Sequence, residues 1–169
     1  MKKFLVFAGV LFCTVTGAHA GDHTMKISSP SFESHGAIPI RFTCEGEDIN
    51  PALNIQDIPA AAQELALVVT DPDAPSGMFI HWVVYNIPVT ETISENSVPG
   101  KQGINDFGKF DYGGPCPPRG KHRYIFTIYA LDAAILLPEG VHKKDLESAM
   151  SGHILAKDEL VGFYQRKAP

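Results

Sequence analysis

The sequence predicts a mainly β domain, a sandwich or a barrel, with one helix near its C-terminal end. Six or more short runs rich in Val, Ile, Phe and Tyr recur along the chain, separated by Pro, Gly, Asp and Asn. Such short strands at close spacing are those of sandwiches and barrels. One stretch, Lys143 to Ile154, instead carries helical spacing: Leu146, Ala149, Met150 and His153 stand 3, 4 and 7 residues apart in a proline-free segment.

In chain order, Met25 to Ser28, Ile38 to Phe42 and Ala52 to Gln56 read as short strands. Between them, Cys44-Glu45-Gly46-Glu47-Asp48 is acidic but lacks the spaced oxygen ligands and later glutamate of an EF-hand, so it reads as a solvated turn. Leu65 to Thr70 is a nearly continuous apolar run, as in a strand covered on both faces. Asp71-Pro72-Asp73-Ala74-Pro75 follows it; the prolines fix φ and push the residues before them to extended geometry, which makes a stiff loop. After Ser76-Gly77, Phe79 to Ile87 is the expected antiparallel neighbour. Strict alternation places His81, Val83, Tyr85 and Ile87 on one face and Trp82, Val84 and Asn86 on the other. Pro88 to Tyr112 is polar and aperiodic, a long excursion of the kind that carries function or moves. Arg123 to Leu131 is a third long strand and Glu159 to Gln165 a last one. No internal repeat or linker marks a second domain.

Lys2-Lys3, the apolar run Phe4 to Val15 and Ala18-His19-Ala20 have the form of a secretory signal over residues 1–20, which leaves a single domain over 21–169 and an address in the periplasm or outside the cell. The run is too short for a membrane span. Two of the 14 basic residues and none of the 19 acidic ones lie in the signal, so the mature chain carries 12 against 19, a net charge of −7. That balance excludes a nucleic-acid partner. Cys44 and Cys116 remain, and an even count in an exported chain predicts a Cys44–Cys116 disulfide; two free thiols are the alternative.

Several familiar patterns fail on inspection. Pro115 to His122 holds a Gly-Lys pair, but its prolines lack the N–H groups of a phosphate loop and His122 stands where Ser or Thr belongs. Lys157-Asp158-Glu159-Leu160 is an internal, hence unread, retention signal. Neither a G-x-S-x-G elbow nor an H-E-x-x-H helix occurs. What remains is Asp71, Asp73, His81 and the Gly113 to His122 loop leading into Arg123 and Tyr124. Each has an ordinary structural explanation, a turn-forming Asp or a core His, and the two Asp and two His suit zinc or iron. Their position at the ends of three adjoining strands points to a site, without the tight spacing of metal ligands.

DPDAP at 71–75, HWVVYNIP at 81–88, NDFG at 105–108, GGPCPP at 113–118 and HRYIFTIYALD at 122–132 together resemble the phosphatidylethanolamine-binding protein, or Raf kinase inhibitor protein, family, in its bacterial branch. The resemblance runs from about Ser28 to about Arg166. It implies a β-sandwich of two antiparallel sheets with Greek-key connections and one or two peripheral helices. It also implies a small anion pocket lined by Asp71, Asp73, Ala74, Pro75, His81, Gly113, Gly114, Pro115, His122 and Tyr124, with no cofactor and no metal.

The function expected is that of an exported, non-enzymatic binding protein for a small anionic ligand: phosphate, a phosphomonoester or a phosphoethanolamine-like molecule. His81 and His122 are expected to donate to the anion, with carboxylates behind them and the Gly113 or Gly114 N–H completing the cradle. Alternatives are an inhibitor of a protease or kinase acting through a protein target, with a homodimer also in view, and a hydrolase using an Asp/His pair. For the last, Cys116 is the one obvious nucleophile.

Overall fold

The computed structural model describes residues 24–166; the expected signal segment lies outside them. Its strands are β1 (Lys26–Ser28), β2 (Gly36–Ala37), β3 (Leu53–Gln56), β4 (Glu64–Asp71), β5 (Phe79–Pro88), β6 (Thr92–Ile93), β7 (Lys101–Gln102), β8 (Lys121–Leu131) and β9 (Ile154–Gln165), with one helix, α1 (Lys143–Met150). They form two sheets, a smaller one in the order β1-β3-β6 and a larger one in the order β2-β9-β8-β4-β5-β7. All pairings are antiparallel except β2 with β9, which corrects the wholly antiparallel expectation.

β4 is buried along its whole length because both its edges are paired and both its faces are covered. Leu65, Leu67 and Val69 point into one cluster with Ile27, Leu53, Ile55 and Ile93 of the smaller sheet and Phe126 and Ile128 of β8. Ala66 and Val68 point the other way, into a cluster with Leu131, Ile135 and the Leu146 and Met150 side chains of α1. Each large apolar side chain buried here contributes about 1.5–3 kcal/mol. Glu64, buried at the head of β4, is satisfied by Asn86 Nδ2 at 2.7 Å and the Ile135 N–H at 2.9 Å.

Three local expectations are corrected. Ile38 to Phe42 is not a strand: Pro39 has no N–H for a ladder, and Ile40–Phe42 closes instead as a 3₁₀ turn with the Phe42 N–H on the Pro39 carbonyl. The helix ends at Met150, before the left-handed Gly152 (φ 85°), and β9 starts at Ile154, five residues earlier than Glu159. The strict alternation along β5 fails twice. Asn86, at φ 51°, sits at a register break that moves Ile87 to the face of Trp82 and Val84. A second break leaves His81 without a register partner, since Thr70 pairs with Ile80 and Val69 with Trp82.

Candidate functional site

That second bulge builds the site. On β4 and β8, Asp71 continues the inward row of Leu65, Leu67 and Val69, and His122 and Tyr124 continue that of Phe126 and Ile128. Alternation on β5 alone would send His81 to the opposite face. The bulge re-aims it, so that its ring meets the Tyr124 ring edge-on at 5.1 Å. The end of β4 and the starts of its two antiparallel neighbours, β5 and β8, thus bring Asp71, His81, His122 and Tyr124 to one end of the larger sheet.

The hydrogen bonds fix the chemistry of each group. His122 Nδ1 donates to Asp71 Oδ2 at 2.7 Å, and the Asp73 N–H donates to Asp71 Oδ1 at 2.8 Å, so both oxygens of the buried carboxylate are engaged. His81 Nδ1 donates to the Gly113 carbonyl at 2.6 Å. With both Nδ1 atoms donating, the neutral rings carry a lone pair on Nε2, and only the imidazolium form offers an Nε2–H. An anion is therefore met at Nε2 only by a protonated ring. Burial lowers the His81 pKa from its ordinary value, against the Gly113 hydrogen bond and the Asp71 charge, which raise it. Tyr124 Oη is buried close to the Asp71 carboxylate and the Cys116 backbone and meets neither in full hydrogen-bond geometry. Burial first, and then the Asp71 charge, push that phenol pKa up, so it remains a donor.

A cavity of about 290 Å³ opens here, lined by Asp71, Ala74, Pro75, Ser76, Phe79, His81, Phe107, Cys116, Pro117 and Pro118. Asp71, Ala74, Pro75 and His81 were expected in it. His122 and Tyr124 stand behind the lining, the first through Asp71 and the second against His81. Asp73 turns outward to a two-pronged ion pair with Arg123, at 2.6 and 2.9 Å, which ties the 71–78 loop to β8. The glycine cradle is a correction: the Gly113 N–H is spent on the His81 carbonyl and the Gly114 N–H on Asp48 Oδ1. Pro115 is another, since its carbonyl accepts the Cys44 N–H while Pro117 and Pro118 line the cavity. Cys44 and Cys116 form a disulfide.

Phe79, Phe107 and Asp48 were not foreseen. Phe107 rides on a turn organised by Asn105, whose Oδ1 accepts the Phe107 and Lys109 N–H groups at 3.0 Å each while its Nδ2 donates to the Asp111 carbonyl at 2.9 Å. A Cβ on residue 113 would lie 2.5 Å from the Phe107 ring, so glycine there lets the ring close against the loop. The NDFG motif marked the turn, yet nothing in it says which way its aromatic points.

The Arg123 guanidinium, chiefly by its hydrogen bonds, holds the Asp73 carboxyl at a pKa of about 2. Because this pKa is depressed on folding, the pair supports the fold above the ordinary value of 3.8 and its contribution is lost as pH falls from there through about 2. Arg123→Ala should return Asp73 to the ordinary carboxylate range in a carboxyl NMR titration. An Asp73 still titrating near 2 in that variant would assign the shift to another source.

A mostly β domain with two sheets sharing a core, and an aromatic- and proline-walled cavity at the end of the larger sheet, is the class this architecture defines. Residues 28–165 match the family model described as phosphatidylethanolamine-binding protein. The chain belongs to the phosphatidylethanolamine-binding protein family. It is 45% identical over 150 residues to a UPF0098 protein of Methanothermobacter thermautotrophicus, covering 84% of this chain and 99% of that one. It is 46% identical over 157 residues to a UPF0098 protein of Aquifex aeolicus, covering 87% and 92%. Among solved structures, a Chlamydia trachomatis homologue of phosphatidylethanolamine-binding protein superposes with a TM-score of 0.83 at 41% identity, over 85% of this chain and 99% of that one. YbcL of E. coli, described as a new member of the mammalian family, superposes with a TM-score of 0.79 at 25% identity, over 86% and 100%.

Proposed function

We propose that this is an exported, non-enzymatic binding protein whose cavity takes a small phosphate- or carboxylate-bearing molecule, such as a phosphomonoester or a phosphoethanolamine-like compound. The observation that carries the reading is His81, which lines the cavity with Nδ1 committed to the Gly113 carbonyl, so that protonation places a charged N–H donor on Nε2. A hydrogen bond from that charged ring to an anion is worth about 1.5–3 kcal/mol. Phe79, Phe107, Pro117 and Pro118 beside it suit the apolar arm of an ester. The disulfide supports an oxidising compartment and takes Cys116 out of use as a nucleophile. The core shared by the two sheets supports the sandwich with Greek-key connections.

Exposed Met78 and Phe107, next to lining residues, favour a second reading in which a protein target covers the mouth and the protein acts as an inhibitor. The two readings separate on one variant. His81→Gln removes the ionisable donor that lines the cavity while keeping an amide for the Gly113 carbonyl, so phosphate and phosphoethanolamine affinity, by calorimetry at pH 6, should fall by about tenfold for one lost hydrogen bond to a charged group. Unchanged affinity for both ligands, or no binding of either to the wild type, would remove the small-anion reading.

A further inference from the structure

Asp48 lies outside the cavity lining, on the acidic loop that the sequence marks only as a solvated turn. Its Oδ1 accepts the Gly114 N–H at 2.7 Å. That N–H belongs to the same peptide unit as the Gly113 carbonyl, which accepts His81 Nδ1–H at 2.6 Å. One planar, delocalised peptide group is therefore hydrogen-bonded to a carboxylate at one end and an imidazole at the other. We propose that Asp48 is a positioning residue for His81, acting through the Gly113–Gly114 peptide to hold the ring's tautomer and to stabilise its protonated form.

The surroundings are built for this contact. A Cβ on residue 114 would meet the Phe42 carbonyl oxygen at 2.4 Å and Asp48 Oδ1 at 2.5 Å, so the approach requires glycine. Asp48 stands at φ 56°, a left-handed conformation that Asp and Asn adopt more readily than other side chains, and its N–H is held by the Arg41 carbonyl at 3.1 Å. The Cys44–Cys116 disulfide and the Cys44 N–H on the Pro115 carbonyl clamp the two loops together beside it. A charged acceptor on the N–H polarises the peptide and makes its carbonyl a stronger acceptor for Nδ1–H. The other charges acting on His81 are Asp71, at the end of β4, and Asp106, on the 105–108 turn. Asp48 adds a third carboxylate at longer range, with a directed path. The consequence for ligands rests on the binding reading above: an anion that needs protonated His81 binds better when Asp48 favours that form.

Asp48→Asn keeps the size, the left-handed backbone and an oxygen for the Gly114 N–H, and removes only the charge. An NMR titration of the His81 ring, with nitrogen shifts reporting the tautomer, should show its pKa falling by about half a unit or more in this variant. Phosphate affinity above that pKa should fall by about threefold, half a decade of protonated ring. Asp48→Ser, uncharged but still offering an oxygen, repeats the measurement where Asp48→Asn does not fold. An unchanged His81 pKa and tautomer in a folded variant would reduce Asp48 to a loop staple and overturn the inference. The ring titration needs no ligand, so a wild type that fails to bind phosphate would overturn the proposed function and leave this test standing.

Discussion

Serine at both positions 44 and 116 is expected to lower the melting temperature by about 10 °C or more. The bridge joins residues 72 apart, and in the chain-entropy account a closed loop of that length stabilises by about 4 kcal/mol. For a domain of this size each kcal/mol moves the midpoint by roughly 2–4 °C. The loss should fall on the site as well, because Cys116 lines the cavity and its loop supplies the Gly113 carbonyl that orients His81. Calorimetric melts of the wild type and the double variant under non-reducing conditions make the comparison. Equal midpoints would mean that the hydrogen bonds between the loops, Asp48 to Gly114 and Cys44 to Pro115, hold them without the bridge.

Alanine in place of His81 should weaken anion binding by about tenfold or more at pH 6, since a hydrogen bond to a charged partner is worth roughly 1.5–3 kcal/mol. It should also flatten the pH dependence. With Nδ1 committed to Gly113, only the imidazolium presents Nε2–H, so wild-type affinity is highest below the His81 pKa and falls by about tenfold per pH unit above it. The same residue makes a stability prediction of the opposite sense. Its folded pKa lies below its ordinary 6.5, so the folded state binds fewer protons, and stability declines as pH drops from there through the folded value. A bound anion should offset that decline. Replacing His122 should act differently: it holds Asp71 and is outside the cavity lining, so its loss should disorder the carboxylate without removing the pH dependence.

Much of this was legible in the residues. The apolar run at 65–70 and the long segments at 79–87 and 123–131 announce the three central strands, and stiff X-Pro geometry announces the 71–75 loop. Asp71 and His81 stand at the ends of predicted strands, and the family resemblance adds Ala74 and Pro75 to the pocket. What escaped has a common physical origin. β2, β6 and β7 have two residues each, too few to show a period of two. The bulge at His81 inserts one residue against Thr70 and Val69, and no composition distinguishes it from regular strand. That neither glycine N–H is free is decided by the His81 carbonyl and by Asp48, 66 positions from Gly114 along the chain. The Phe107 ring depends on the Asn105 turn closing over β5, again a tertiary fact.

The central claim, that the cavity binds an anion through protonated His81, is tested most directly by counting protons. Sulfate remains a dianion across the pH range of interest, so any proton taken up when it binds comes from the buffer to the protein. Calorimetric titration of the wild type with sulfate at pH 7.5, in two buffers of different ionisation enthalpy, should show uptake approaching one proton per anion bound, and His81→Ala should lose most of that uptake together with the affinity. Sulfate binding with no proton uptake, or with the same uptake in His81→Ala, would contradict the account.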